Sequence, residues 1–188
     1  TRDPSSAASD VYKRQNRKKP CGYKRVINNL RIEYNVLTLD GLEADDTMGI
    51  YATKHTGNVI VSPDKDMKQI PGKLYNLEDT ITITPEEGAK WHLIQTLAGD
   101  QTDGYSGVPG IGVKRAETLF NKEGYSWATV VKAFEDKGLT EEDALLNARL
   151  ARILTIEDYD TEKNEPKLWT PEASYTINSG AGLQDESN

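Results

Sequence analysis

Seven carboxylates arrive in three separate segments of this chain, and any fold that brings them together must also supply a cation where they meet. The first segment is Gly41-Leu42-Glu43-Ala44-Asp45-Asp46, the second carries Asp64 and Asp66, and the third Asp100 and Asp103. With two histidines and one cysteine in the whole sequence, convergence of these groups would make a hard, oxygen-only site. Such a site suits Mg²⁺ or Mn²⁺ rather than zinc. Each segment also has a plainer reading: acidic residues favour helix N-termini for dipole reasons, and a polar turn commonly closes a strand.

The charge distribution sharpens the choice. Residues 1–31 hold nine Lys/Arg against Asp3 and Asp10, a balance of +7, which leaves 14 basic against 28 acidic groups in the remainder, or −14. A basic run such as Arg17-Lys18-Lys19 can be a solvated tail or a phosphate-contacting arm. The acidic body would repel nucleic acid unless bound cations neutralised its carboxylates. Cys21 stands alone, so no disulfide framework exists and a reducing, cytoplasmic compartment fits. No run of about 18 apolar residues suggests a membrane span.

The hydrophobic pattern alternates strands with helices. Residues 1–15 read as linker or scar, and Gly22 to Arg31 places Val26, Ile27 and Leu30 at helical spacing. Asn35–Leu39 alternates like a strand and stops at Asp40-Gly41, after which an acidic helix is expected from about Leu42 to Lys54, with Glu43 and Asp46 on one face. Asn58–Val61 is a continuous apolar run of the kind buried in a parallel sheet, and it delivers Asp64 and Asp66 at its C-terminal end, where α/β sheets bind ligands. Lys73–Leu77 reads as a further strand. Thr84-Pro85-Glu86-Glu87 then announces a helix by its N-cap, its proline and its acidic first turn.

After Asp100 and Asp103 comes Gly107-Val108-Pro109-Gly110-Ile111-Gly112, a turn before a helix starting at Val113. Gly107, Gly110 and Gly112 would allow close backbone approach, free amides at the helix start would meet a phosphate, and Lys114 and Arg115 add charge. Two more helices, around Trp127–Phe134 and from Thr140 onwards, read as scaffold. Trp127 and Trp169 could stack on bases but suit packing better. The tail, 172–188, is rich in Ser, Gly and acid and reads as disordered.

The succession G-L-E-A-D-D (41–46), S-P-D-K-D-M-K-Q-I (62–70) and G-D-Q-T-D-G-Y-S-G-V-P-G-I-G (99–112) resembles the 5′-nuclease superfamily: phage 5′-exonucleases, flap endonucleases and the 5′-nuclease domain of bacterial DNA polymerase I. The likeness is strongest to exonucleases of short-tailed bacteriophages and covers about residues 16–170. It implies an α/β fold, a partial PIN-like (Rossmann-like) parallel sheet with flanking helices over 16–83, followed over 84–171 by a helical region with a helix-three-turn-helix motif. It also implies that Glu43, Asp45, Asp46, Asp64, Asp66, Asp100 and Asp103 are catalytic ligands of two Mg²⁺ or Mn²⁺ ions. Gly107, Gly110, Gly112, Lys114 and Arg115 would hold duplex phosphate, with K⁺ at the turn, and Arg17, Lys18 and Lys19 would match the end of an arch region. Family members begin with two aspartate-bearing strands that nothing before Val36 resembles, so the chain reads as a nuclease domain lacking its N-terminal third and cutting slowly or not at all.

The function so implied is a metal-dependent 5′-to-3′ exonuclease. Its partner would be duplex DNA or a DNA–RNA hybrid with a 5′ end or flap. Two other readings of the same residues remain: a non-catalytic duplex DNA-binding module, and an acidic cation-binding domain without nucleic-acid function.

Overall fold

The computed structural model describes residues 19–171; the segment expected to be linker, Arg17 and Lys18, and the tail 172–188 lie outside the described residues. The chain is α/β, with a small mixed sheet and six α-helices among the described residues. Helix α1 (Tyr23–Glu33) follows Gly22 at φ +87° and has no buried residue. Helix α2 (Ala44–Lys54) starts later than its acidic run suggests, because Glu43 is extended and serves as the N-cap residue. Thr47, Gly49 and Ile50 form its buried face.

Strands β1 (Val59–Val61), β2 (Gly72–Tyr75) and β3 (Thr80–Ile83) form the sheet in that order. β1 and β2 run parallel, pairing Ile60 with Leu74, and a 3₁₀ turn over Lys65–Gln69 lies in the crossover. The expectation of a parallel sheet needs correcting at β3, which runs antiparallel to β2 and pairs Leu74 with Ile81. The cause is local. Only Asn76–Asp79 joins β2 to β3, a link too short for the crossover that a parallel pair requires, and Asn76 Oδ1 closes it by accepting from the Glu78 and Asp79 N–H groups at 2.9 and 2.8 Å.

A second correction concerns Asn35–Leu39, which joins no strand. Asn35, Leu37, Thr38 and Leu39 instead line a groove of about 630 Å³ beside β1, together with Met48, Tyr51, Val59 and Val61. Alternation alone cannot make a strand; the peptide groups need a ladder partner.

Helix α3 (Pro85–Ala98) is the central element. Thr84 caps it, accepting from the Glu87 N–H while the Glu87 carboxylate accepts from the Thr84 N–H in return. From His92 to Leu97 every residue is buried, so α3 is enclosed by neighbours on most of its circumference. One side meets α4 (Val113–Glu123), α5 (Trp127–Glu135) and α6 (Glu141–Ala151) in a core of Leu93, Leu97, Phe120, Val130 and Phe134. The other side meets the 3₁₀ turn, next to a second core of Ile60, Met67, Ile70, Leu74, Ile83 and Ile153. Trp169 is buried, edge-on to His92 and Trp127.

After α6 the chain runs back along the sheet side. The Leu154 N–H donates to Asp46 Oδ1 at 3.0 Å, and the Ile156 N–H donates to Thr53 Oγ1 at 2.9 Å. A 3₁₀ turn (Ile156–Asp158) and a two-stranded ribbon, β4 (Tyr159–Asp160) with β5 (Glu165–Pro166), complete the described chain. Among the described residues no helix is long and apolar enough to cross a membrane.

Candidate metal centre

The second acidic segment is shaped by its own hydrogen bonds. Where β1 ends, the Asp64 N–H donates to Ser62 Oγ at 3.1 Å, and Asp64 Oδ1 accepts from the Asp66 N–H at 2.9 Å. Asp64 thereby caps the 3₁₀ turn, and Asp66 in its first turn is held toward α3.

The third segment is a closed loop. Asp100 and Tyr105 exchange backbone hydrogen bonds at 2.9 and 3.1 Å, and the Thr102 N–H donates to Asp100 Oδ1 at 2.8 Å. Where the loop closes, two glycines touch. A Cβ on Gly99 would lie 2.4 Å from the Ser106 carbonyl carbon, and one on Gly107 would lie 2.4 Å from the Gly99 nitrogen, with Gly107 at φ +59°. No side chain fits at either position, so this pair fixes how Asp100 and Asp103 leave α3.

The two segments meet. Carboxylate oxygens of Asp66, Asp100 and Asp103 all lie within 4.8 Å of one another. Burial, then Asp64, raises the Asp66 carboxyl to about 6, with Asp100 and Asp103 adding to the rise and Lys65 opposing it. Burial, then the Asp100 charge, raises Asp103 as well. Asp100 goes the other way: desolvation would raise it, but the Thr102 N–H and the Lys65 ammonium outweigh that and lower it. Lys65 Nζ stands 3.1 Å from Asp100 Oδ2 and 3.9 Å from Asp66 Oδ1.

The first segment divides. Asp45 is half-buried, and desolvation followed by the charge of Asp64 raises its carboxyl, with Glu43, Asp46 and Asp103 contributing. It therefore faces the other acids. Asp46 accepts from the Leu154 N–H and feels Asp158, so it turns toward the segment after α6. Glu43, expected inside the helix, stands instead at its N-cap in extended conformation, and its backbone N–H donates to the Asp46 carboxylate.

The glycine turn is also mixed in its exposure. The Gly107 N–H is buried and donates to Asn147 Oδ1 at 2.9 Å. Gly110, at φ +80°, and Gly112 are exposed, as are Lys114 and Arg115, and Arg115 Nη1 donates to the Gly110 carbonyl at 2.6 Å. Lys19 is exposed, with Nζ 4.3 Å from the centre of the Tyr23 ring.

Lys65, Asn147, the buried Gln95, whose Nε2 donates to Asp66 Oδ1 at 2.6 Å, and Gln69, which donates to Gln95 in turn, belong to these arrangements but do not announce themselves in the sequence. For Gln95 the one available signal was a long amide within the apolar run Leu93-Ile94-Gln95-Thr96-Leu97.

A small mixed sheet whose β1 leads to aspartates, joined by the acidic end of a buried helix, defines an α/β protein with a candidate divalent-metal site. No protein-family model matches the chain. Comparison with known proteins finds an exodeoxyribonuclease of Enterobacteria phage T3, 32% identical over 90% of this chain and 68% of the relative. An exonuclease of Escherichia phage T7 is 31% identical over 82% of this chain and 65% of its own. A 5′-3′ exonuclease of Mycobacterium tuberculosis is 31% identical over 64% of this chain and 45% of its own. The chain belongs to the 5′-nuclease superfamily, with the phage exonucleases among its relatives. It spans about two thirds of the length of those two phage proteins.

Proposed function

We propose that the chain is a divalent-metal-dependent 5′-to-3′ exonuclease acting on duplex DNA, with DNA–RNA hybrids and 5′ flaps as related substrates. The observation that carries the reading is the meeting of Asp66, Asp100 and Asp103 within 4.8 Å. Three carboxylates so close repel one another, a repulsion that adds to the desolvation raising Asp66 and Asp103, and a hard cation relieves it. The donor set fits Mg²⁺ or Mn²⁺. Asp66, Asp100 and Asp103 would hold the ions, with Asp64, Asp45 and Glu43 beside them and Asp46 acting through its bond to Leu154. When bound, two such ions supply an activated water and screen the charge on the phosphodiester.

The chain's own groups do the rest. Lys65 places an ammonium among the carboxylates and lowers the cost of bringing them together. The exposed part of the glycine turn, Gly110 and Gly112, opens α4 and leaves its first amides able to meet a backbone phosphate, with Lys114 and Arg115 adding charge. This is the part we assign as a helix-three-turn-helix, and its carbonyls are the proposed K⁺ site. Lys19, with Arg17 and Lys18, would contact the strand near its 5′ end.

The test is digestion of 5′-labelled duplex in Mg²⁺ and in EDTA. Release of label from the 5′ end in Mg²⁺ alone, lost in Asp100→Ala, is the expected result, however slow the rate. Duplex binding with no Mg²⁺-dependent release would favour the DNA-binding module instead.

A further inference from the structure

Two buried glutamines join the acidic cluster to the main chain beyond α6. Gln69 and Gln95 keep only 2% and 4% of their surface. Gln95 Nε2 donates to Asp66 Oδ1 at 2.6 Å, Gln69 Nε2 donates to Gln95 Oε1 at 2.7 Å and also to the Ala151 carbonyl, and Gln69 Oε1 accepts from the Ile153 N–H at 3.1 Å.

The polarity of this chain of bonds follows from its backbone end. An N–H can only donate and a carbonyl can only accept, so Ile153 and Ala151 together leave Gln69 one amide orientation. Gln69 then presents a donor to Gln95, which must answer with its oxygen. Gln95 is left with its NH₂ facing Asp66, and a carboxylate is the acceptor-only side chain that satisfies it. A flip of either amide would bury two like groups against each other and cost an unmade bond at each contact.

We propose that Gln95 is a positioning residue for Asp66, and that the Gln69–Gln95 pair transmits the register of the segment after α6 to the metal-binding carboxylates. A carboxylate held by one oxygen presents the other in a fixed direction, so the relay sets where Asp66 can meet an ion. The same segment is tied to α2 by the bond from the Leu154 N–H to Asp46, which makes it a common support for the first and second acidic segments. The inference rests on the metal reading above. Groups that orient metal ligands typically contribute 10- to 100-fold to affinity.

The test is Mn²⁺ titration, with free ion followed by electron paramagnetic resonance, on the wild-type chain and on Gln95→Leu and Gln69→Leu, with each fold checked by circular dichroism. Gln95→Leu should bind Mn²⁺ at least about 10-fold more weakly, and Gln69→Leu should weaken binding in the same direction. Folded Gln95→Leu that binds as tightly as a binding-competent wild type would overturn the relay alone. A wild type that binds no Mn²⁺ would overturn the metal reading and the relay with it. Should the leucine variants fail to fold, the wild type still decides. Its Gln69 and Gln95 side-chain amide protons should exchange slowly without metal, and those of Gln95 should shift as Mg²⁺ saturates. Fast exchange, or signals that Mg²⁺ leaves in place, would overturn the proposal.

Discussion

In the helical region Phe120 and Phe134 are enclosed almost completely, at 1% and 0% exposure, whereas in the sheet region Val59 and Val61 of β1 keep 48% and 60%. One region closes a core from four helices; the other leaves the edge of β1 exposed and no residue of α1 buried. The acidic cluster draws on both. Asp66 comes from the sheet region, and Asp100 and Asp103 come from the end of the helix that both regions share. The contrast teaches that the site's geometry depends on the seam rather than on either core alone. α3, the two glutamines and the segment Arg152–Asp158 are what hold that seam, with Arg152 Nη2 and Asp158 Oδ2 paired at 2.6 Å.

The largest expected effect separates the two regions directly. Phe134→Ala should cost about 3–5 kcal/mol of stability, in the range for emptying a packed aromatic site, whereas Val61→Ala should cost under about 1 kcal/mol because its side chain is already in water. Urea denaturation of the two variants measures both. Equal losses would show that Val61 is packed against a neighbour rather than exposed.

Next in size is the pair of glycines that shapes the third acidic segment. Gly107→Ala puts a methyl into the Gly99 backbone as well as paying for a positive φ, so about 3 kcal/mol or more is expected. Gly110→Ala pays for φ alone, about 1 kcal/mol, because its Cβ would meet only the Arg115 side chain at 3.8 Å. Thermal melts of both variants should rank them in that order, and Gly107→Ala should also weaken metal binding.

A smaller effect depends on pH. Burial, followed by the Arg152 charge, lowers His92 from 6.5 to about 4, where it sits with a ring nitrogen 2.8 Å from the Ala148 carbonyl. The unfolded chain therefore binds the proton more readily. Stability from neutral His92 is complete above about pH 6.5 and is lost as pH falls toward 4. Asp66 has the opposite sign: its raised carboxyl favours the folded state below the unfolded value of 3.8, and that contribution is lost as pH rises through about 6. In EDTA, His92→Gln should flatten the acid-side loss of stability and Asp66→Asn should steepen it. The reverse pairing in urea melts between pH 4 and 7 would contradict both assignments.

Much of this was legible in the residues, for definite reasons. Thr84-Pro85-Glu86-Glu87 and Thr140-Glu141-Glu142-Asp143 announce their helices because capping is a short-range interaction; both caps are present in full. The run Asn58–Val61 was readable as a strand because its apolar side chains are continuous, but its expected burial is corrected: only Ile60 is buried, and Val59 and Val61 are exposed. What could not be read depends on partners distant in sequence. Asn35–Leu39 has the alternation of a strand but no ladder to join. The direction of β3 is decided by a four-residue link rather than by side chains. Asp45 and Asp46 are adjacent and chemically identical, yet one faces the acids while the other accepts from Leu154, 108 residues away. Gln69 and Gln95 look like ordinary polar residues until Ile153 and Ala151 are brought beside them.

The central claim is that a divalent cation joins the two regions through Asp66, Asp100 and Asp103. Its most direct measurement is the melting temperature in EDTA and in millimolar Mn²⁺, for the wild type, Asp66→Asn, Asp100→Asn and Asp103→Asn. The account predicts that Mn²⁺ raises the wild-type midpoint by linkage and that each of the three substitutions sharply reduces the rise. An identical midpoint with and without Mn²⁺ in the wild type, or a rise that survives all three substitutions, would contradict it.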